Sequence, residues 1–123
     1  MSFDQANNLD LNIPASGDLS TKQYRFITID SSGNAAVSTR GALSVGVLQD
    51  APAALGRPGK VRIVGATKVV AGGTVTAGQA IVADANGAAV NASSADNAYM
   101  GFALASAVSG DVFAMVLQPR GLS

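Results

Sequence analysis

Cysteine, histidine, tryptophan and glutamate are all missing from this 123-residue chain, and its eight acidic residues are all Asp. Without Cys there is no disulfide framework. Without His or Cys neither a nitrogen–sulfur zinc site nor a Ser-His-Asp or Cys-His nucleophile system can be assembled. Eight Lys and Arg balance the eight acids, so there is no basic excess of the kind that wraps a polyanion. No apolar run reaches the roughly 18 residues of a membrane-spanning helix. The opening MSFDQANNLDLN also lacks the basic-then-apolar layout of a secretory signal. The chain therefore reads as soluble and made in a cytoplasm, with no nucleic-acid or membrane partner. Aromatics are scarce too, at four Phe and two Tyr.

What is present is 48% apolar residues, of which 23 are Ala, and 14 Gly. That leaves 34 Val, Ile, Leu, Met and Phe, enough for one domain with a modest core. Short runs rich in Val, Ile and Thr alternate with clusters of Asp, Gly, Asn and Ser, the punctuation of an all-β protein. Strands are predicted at 23–30, 35–38, 42–48, 60–64, 67–70, 79–83, 88–90, 99–104 and 112–117. Asp30-Ser-Ser-Gly-Asn34 and Asp84-Ala-Asn-Gly87 each place Gly or Asn where a hairpin needs positive φ. Asp50-Ala-Pro-Ala-Ala-Leu-Gly56 has the cap, early Pro and terminal Gly of a single helical turn. Val112–Leu117 is apolar on both faces, which implies a covered central strand or a subunit interface.

The chain also repeats itself. ASGDLSTKQYRFITID at 15–30 matches AGGTVTAGQAIVAD at 71–84, aligning Leu19 with Val75, Gln23 with Gln79 and Asp30 with Asp84. SSGNAAVS at 31–38 then matches ANGAAVNA at 85–92, and SVGVLQDAPA at 44–53 matches YMGFALASAV at 99–108. Finally Pro58-Gly-Lys-Val61 aligns with Ser109-Gly-Asp-Val112, so the spacing runs from 51 to 56 residues. Two repeats, roughly 15–65 and 71–118, are too few for a solenoid and enough for a small compact β-barrel or sandwich-like domain. The domain spans 15–123, with residues 1–14 as an extended N-terminal arm outside the duplication.

Few residues are candidates for chemistry. Asp84, Asn86 and Asp96 are oxygen ligands close in sequence but lack the offsets of a calcium loop, so turn chemistry is the better account of them. Asp30 and Asp84 are equivalent through duplication, which explains the pair without a carboxylate mechanism. Neither Gly72-Gly73 nor Gly56-x-x-Gly59 both follows a strand and opens a helix, and no GK[ST] occurs, so they are not phosphate loops. No catalytic, cofactor or metal residue is assigned. Two groups remain as contact surfaces. Arg57, Lys60 and Arg62 form the one local basic group, suited either to an acidic partner or to guarding a solvated strand edge. Leu9, Leu11 and Ile13 alternate with Asp10 and Asn12, so an extended arm would put all three on one face, and Pro14 favours that extension. Such a segment can add as a strand to a neighbour's sheet edge. Burying the three side chains would contribute on the order of 4–9 kcal/mol gross. The arm is therefore expected to be mobile in the free subunit and ordered against a neighbour.

The duplicated small-residue β pattern resembles the head decoration, or capsid cement, proteins of tailed bacteriophages. Gly46-Val47-Leu48 followed by Gly59-Lys60-Val61 recurs as Gly101-Phe102-Ala103 followed by Gly110-Asp111-Val112, and the Thr74–Gln79 stretch leading into Ile81–Asp84 is similar to that family as well. The resemblance covers about residues 15–120. It implies a non-enzymatic virion protein without cofactor, commonly trimeric, that sits on the capsid exterior against the major capsid protein and stabilises the shell. The rival class is a virion-displayed carbohydrate- or cell-surface-binding β module, which would ordinarily stack sugars on more exposed aromatics than this chain has.

Overall fold

A computed structural model describes residues 8–40, 43–93 and 99–120. The described chain is all β: β1 (Leu9–Pro14), β2 (Phe26–Ile29), β3 (Ala35–Val37), β4 (Gly46–Leu48), β5 (Pro58–Val70), β6 (Ala80–Ala83), β7 (Ala89–Asn91), β8 (Tyr99–Ala103) and β9 (Val112–Arg120). All pairings between these strands are antiparallel, in one curled sheet ordered β3-β2-β4-β5-β9-β8-β6-β7, with β1 added beside β5. The Asp50–Gly56 segment closes as a turn, Arg57 N–H donating to Ala54 O at 3.1 Å, and does not form a helix. The two strands expected at 60–64 and 67–70 are one, β5, passing without interruption through Gly65.

The duplication is visible bond by bond. Asp30 Oδ1 accepts the N–H groups of Ser32 and Asn34, both at 2.9 Å, and Asp84 Oδ1 accepts those of Asn86 and Ala88 at 2.7 and 3.0 Å. These carboxylates tie down their hairpins, as expected of turn aspartates; Asp96 lies outside the described residues. Ala15 N–H donates to Arg57 O and Gly56 N–H to Ala15 O, just as Ala71 N–H donates to Asp111 O and Gly110 N–H to Ala71 O. Gly56 is thus the counterpart of Gly110, and Pro58 that of Val112. The last sequence block, which aligned Pro58 with Ser109, is out of register by three residues. Short glycine-containing matches carry too little information to place themselves, whereas the hydrogen bonds do so directly.

The same bonds change the reading of the N-terminal segment. β1 lies along β5 of its own chain, from Leu9 opposite Val64 to Pro14 opposite Pro58, with an irregularity between Leu9 and Asp10. In the second repeat Gly65–Val70 lies along β9 in the same way, Val69 opposite Phe113 where Ile13 is opposite Gly59. The duplicated unit therefore begins at β1, and hydrogen bonding does not break after residue 14. The free edge that β1 was expected to seek on a neighbour is supplied by β5 itself.

Each repeat builds its own cluster. Ala15, Leu19, Ile27, Ala35, Leu48 and Val61 form the first, with Ile13, Val37, Val45 and Ile63 half-buried around it. Their counterparts, among them Ala71, Val75, Ile81, Ala89, Ala103 and Met115, form the second. One exchange keeps both volumes filled. Where the second cluster has Phe113 and Ala103, the first has Gly59 and Leu48, and a Cβ on Gly59 would lie 3.1 Å from Leu48 Cδ1. Close packing demands this reciprocity of large and small. The second cluster also receives Phe26 and Val47 from the first repeat, both fully buried, and this joins the two halves. β9, the doubly apolar strand, lies between β5 and β8.

Candidate functional site

The two groups of contact residues singled out in the sequence meet on adjacent strands. β1 and the first half of β5 pair so that Asp10 faces Arg62, Leu11 faces Val61 and Asn12 faces Lys60. Arg62 is drawn into the fold. Its Nε donates to Asp10 Oδ1 at 2.8 Å, its Nη2 to Asp10 Oδ2 at 3.2 Å, and its Nη1 to the Ala66 carbonyl at 2.9 Å. It therefore does not join Arg57 and Lys60 as an outward cation, and the basic surface is narrower than the sequence spacing implied. Sequence reasoning missed Asp10 as its partner because 52 residues separate them. Arg57 and Lys60 are exposed, bracketing Pro58 and Gly59.

The apolar residues divide as well. Ile13 packs against the first cluster, whereas Leu9 and Leu11 remain 51% and 48% exposed. Much of the 4–9 kcal/mol gross expected from burying all three is thus unrealised within one chain. Beside this strand pair, a shallow open depression of about 350 Å³ is lined by Tyr24, Gln49 and Arg62 of the first repeat and by Ala66, Thr67, Lys68 and Ala114 of the second. Gln49 Nε2 spans the seam, donating to Thr67 Oγ1 at 2.7 Å. Among the described residues no three acidic side chains gather to hold a metal ion, and no helix is long and apolar enough to cross a membrane.

With a nine-stranded curled sheet and a duplicated strand order established, comparison with known proteins is decisive. A family model described as phage cement protein matches residues 4–118, nearly the whole chain. The chain belongs to the phage cement protein family. Among solved structures, the head fiber gp8.5 N base of bacteriophage phi29 is similar in fold, with a TM-score of 0.69 and 16% sequence identity over 90% of this chain and 94% of that one. No curated protein matches the chain. This cement protein is a capsid-associated structural component of the phage virion.

In the cement protein's strand pair the Arg62 guanidinium holds the Asp10 carboxyl below its ordinary value, chiefly by hydrogen bonding, against a smaller opposing effect of burial; Lys60 adds a weaker attraction. A depressed carboxylate pKa contributes stability that is present above the unfolded-state value, near 3.9, and is lost as pH falls through the folded-state value. The pair is partly solvated, so its contribution is about 1 kcal/mol or less. Asp10→Asn is accordingly expected to lower stability slightly at neutral pH. The difference should shrink in urea titrations as pH falls through the folded-state value, where the wild-type carboxyl is itself protonated.

Proposed function

We propose that this protein binds the outer face of the assembled capsid shell, against the major capsid protein, and stabilises the shell against expansion or rupture as a non-enzymatic cement. The observation that carries the reading is the family match over residues 4–118, on a chain whose duplicated β fold turns its aspartates to hairpin closure. A symmetric homo-oligomer, a trimer by resemblance to its class, fits a chain with a modest core, because association adds buried surface that one copy lacks. The strand pair β1–β5 is the surface assigned to the capsid or a neighbouring subunit. Leu9 and Leu11 supply apolar contact, and Arg57 and Lys60 supply positive charge for an acidic patch on the shell.

The test mixes the purified protein with undecorated shells and images the product. Saturable occupancy at repeated lattice positions, with an upward shift in the temperature of shell disruption, is expected. Binding to glycan arrays without binding to shells would favour the carbohydrate-binding alternative. Reversing both charges, with Arg57→Glu and Lys60→Glu, should leave the fold intact and weaken attachment, mainly by slowing association, and the wild-type affinity should fall as salt rises. Unchanged occupancy of the charge-reversed protein would remove this face from the contact.

A further inference from the structure

The two repeats touch each other in a one-sided way. Gly87, at the tip of the second hairpin, is buried against the first repeat; a Cβ there would lie 2.6 Å from Val37 Cγ1 and 3.1 Å from Phe26 O. Phe26 N–H donates to Gly87 O at 2.7 Å, and Arg25 Nη1 to Asn86 O at 3.0 Å. Its counterpart Gly33 is exposed, with nothing within 4 Å of an added Cβ. A two-fold axis between the repeats would have docked both hairpins reciprocally. The repeats are instead related head to tail, and such a contact leaves one unsatisfied half at each end.

Both unsatisfied halves are apolar and exposed. At one end, Val47 is fully buried between the repeats while its counterpart Phe102 is 38% exposed. At the other, Ala83 is buried in the second cluster, to which Phe26 also belongs, while its counterpart Ile29 is 39% exposed. The seam pair tells the same story in different chemistry. Gln49 bonds Thr67 across the repeats; their counterparts are Leu104 and Leu11, 52% and 48% exposed. A polar pair inside the chain thus corresponds to two half-exposed leucines that no single copy can bring together.

We propose that copies of this chain associate head to tail by repeating the contact between its own two halves, the Asp30–Gly33 hairpin and Leu11 of one copy docking on β6–β8 and Leu104 of the next. The occupant is a second copy of this chain, because both halves of the required surface are present in each one and, among the described residues, exposed. Gln79 is the counterpart of Arg25 rather than of Gln23, its N–H donating to Thr76 O as that of Arg25 donates to Lys22 O; its shorter side chain does not reproduce the Arg25–Asn86 bond. A second bond does not carry over: Val70 N–H donates to Tyr24 O, whereas its counterpart Pro14 has no N–H. A heterologous contact of this kind extends into a filament unless its rotation closes a ring, in which three copies would set six repeats around one axis. The proposal extends the capsid reading but does not depend on it.

The test uses the absence of cysteine. Gly33→Cys with Asn91→Cys places thiols at the counterparts of Gly87 and Val37, a separation suited to a disulfide. Oxidation of the double variant, free in solution and on shells, is expected to give a covalent ladder ending in a species larger than a dimer, absent from either single variant. Leu104→Asp, at an exposed position, should abolish the ladder while leaving the melting curve of the dilute protein unchanged. Adding Leu11→Lys to Leu104→Asp should restore it. A product that stops at dimer, a ladder indifferent to Leu104→Asp, or no cross-link either in solution or on shells would overturn the proposal. Shell binding with no cross-link would sink this inference and leave the cement role standing.

Discussion

Gly101→Ala should be among the most damaging single substitutions in the molecule. Gly101 lies in β8 with φ of 142°, and an added Cβ would run into the Val116 carbonyl oxygen of β9 and lie 3.1 Å from Gln118 N. These are backbone atoms of the paired strand, so no side-chain rotation relieves the clash, and β8 must separate from β9 where Phe102 pairs with Val116. Overpacking of this kind costs about 1–3 kcal/mol, and the strained φ adds about as much again. Against a typical total of about 5–15 kcal/mol, a combined loss of about 2–6 kcal/mol should lower the melting temperature by on the order of 10 °C. Gly46→Ala, whose Cβ would meet the Arg62 carbonyl, should act in the same direction without the φ component. Gly17→Ala, with nothing within 4 Å, serves as the control and should stay within about 0.5 kcal/mol of wild type. A thermal denaturation series in which Gly101→Ala matched that control would refute the close approach of β8 to β9.

Phe26→Ala should cost about 3–5 kcal/mol, the range for emptying a buried aromatic site. The ring has no exposed surface and belongs to the second cluster although the residue lies in the first repeat; its neighbour Ile27, pointing the other way, belongs to the first cluster. Removing it creates a cavity and uncouples the halves at once. The comparison is Phe102→Ala, the same truncation at a position 38% exposed, measured in dilute protein. It should cost clearly less, because little packing is lost within one chain. Urea unfolding curves that showed equal losses would mean that Phe26 does not bridge the repeats. A second transition appearing only in Phe26→Ala would show the halves unfolding separately.

Function was legible through resemblance more than through any site. The residues missing from the composition excluded chemistry that needs His, Cys or Glu, but that exclusion does not name a capsid protein. The small-residue pattern pointed to the cement family, and the match over residues 4–118 established it. Of the six contact residues assigned from spacing, Ile13 packs into the core and Arg62 is paired with Asp10, leaving Leu9, Leu11, Arg57 and Lys60 outward. Spacing showed that Arg57, Lys60 and Arg62 form a local basic group. It carried no information about which distant carboxylate would lie opposite.

The chain's local chemistry determined what local chemistry can: hairpins at Asp30 and Asp84, where an Asx side chain and a glycine of positive φ close the turn, and β strands near where Val, Ile and Thr cluster. The duplication was also written in the residues, because equivalent turns need equivalent side chains. Only the tertiary structure decided that β1 belongs to the repeat, that Gly56 rather than Gly59 corresponds to Gly110, and that Phe26 is shared across the halves. Strand pairing is a contact between residues far apart in the chain. Leu9–Pro14 resembles Gly65–Val70 in backbone path and partner but hardly in side chains, so the equivalence exists in hydrogen bonds and is almost absent from the letters.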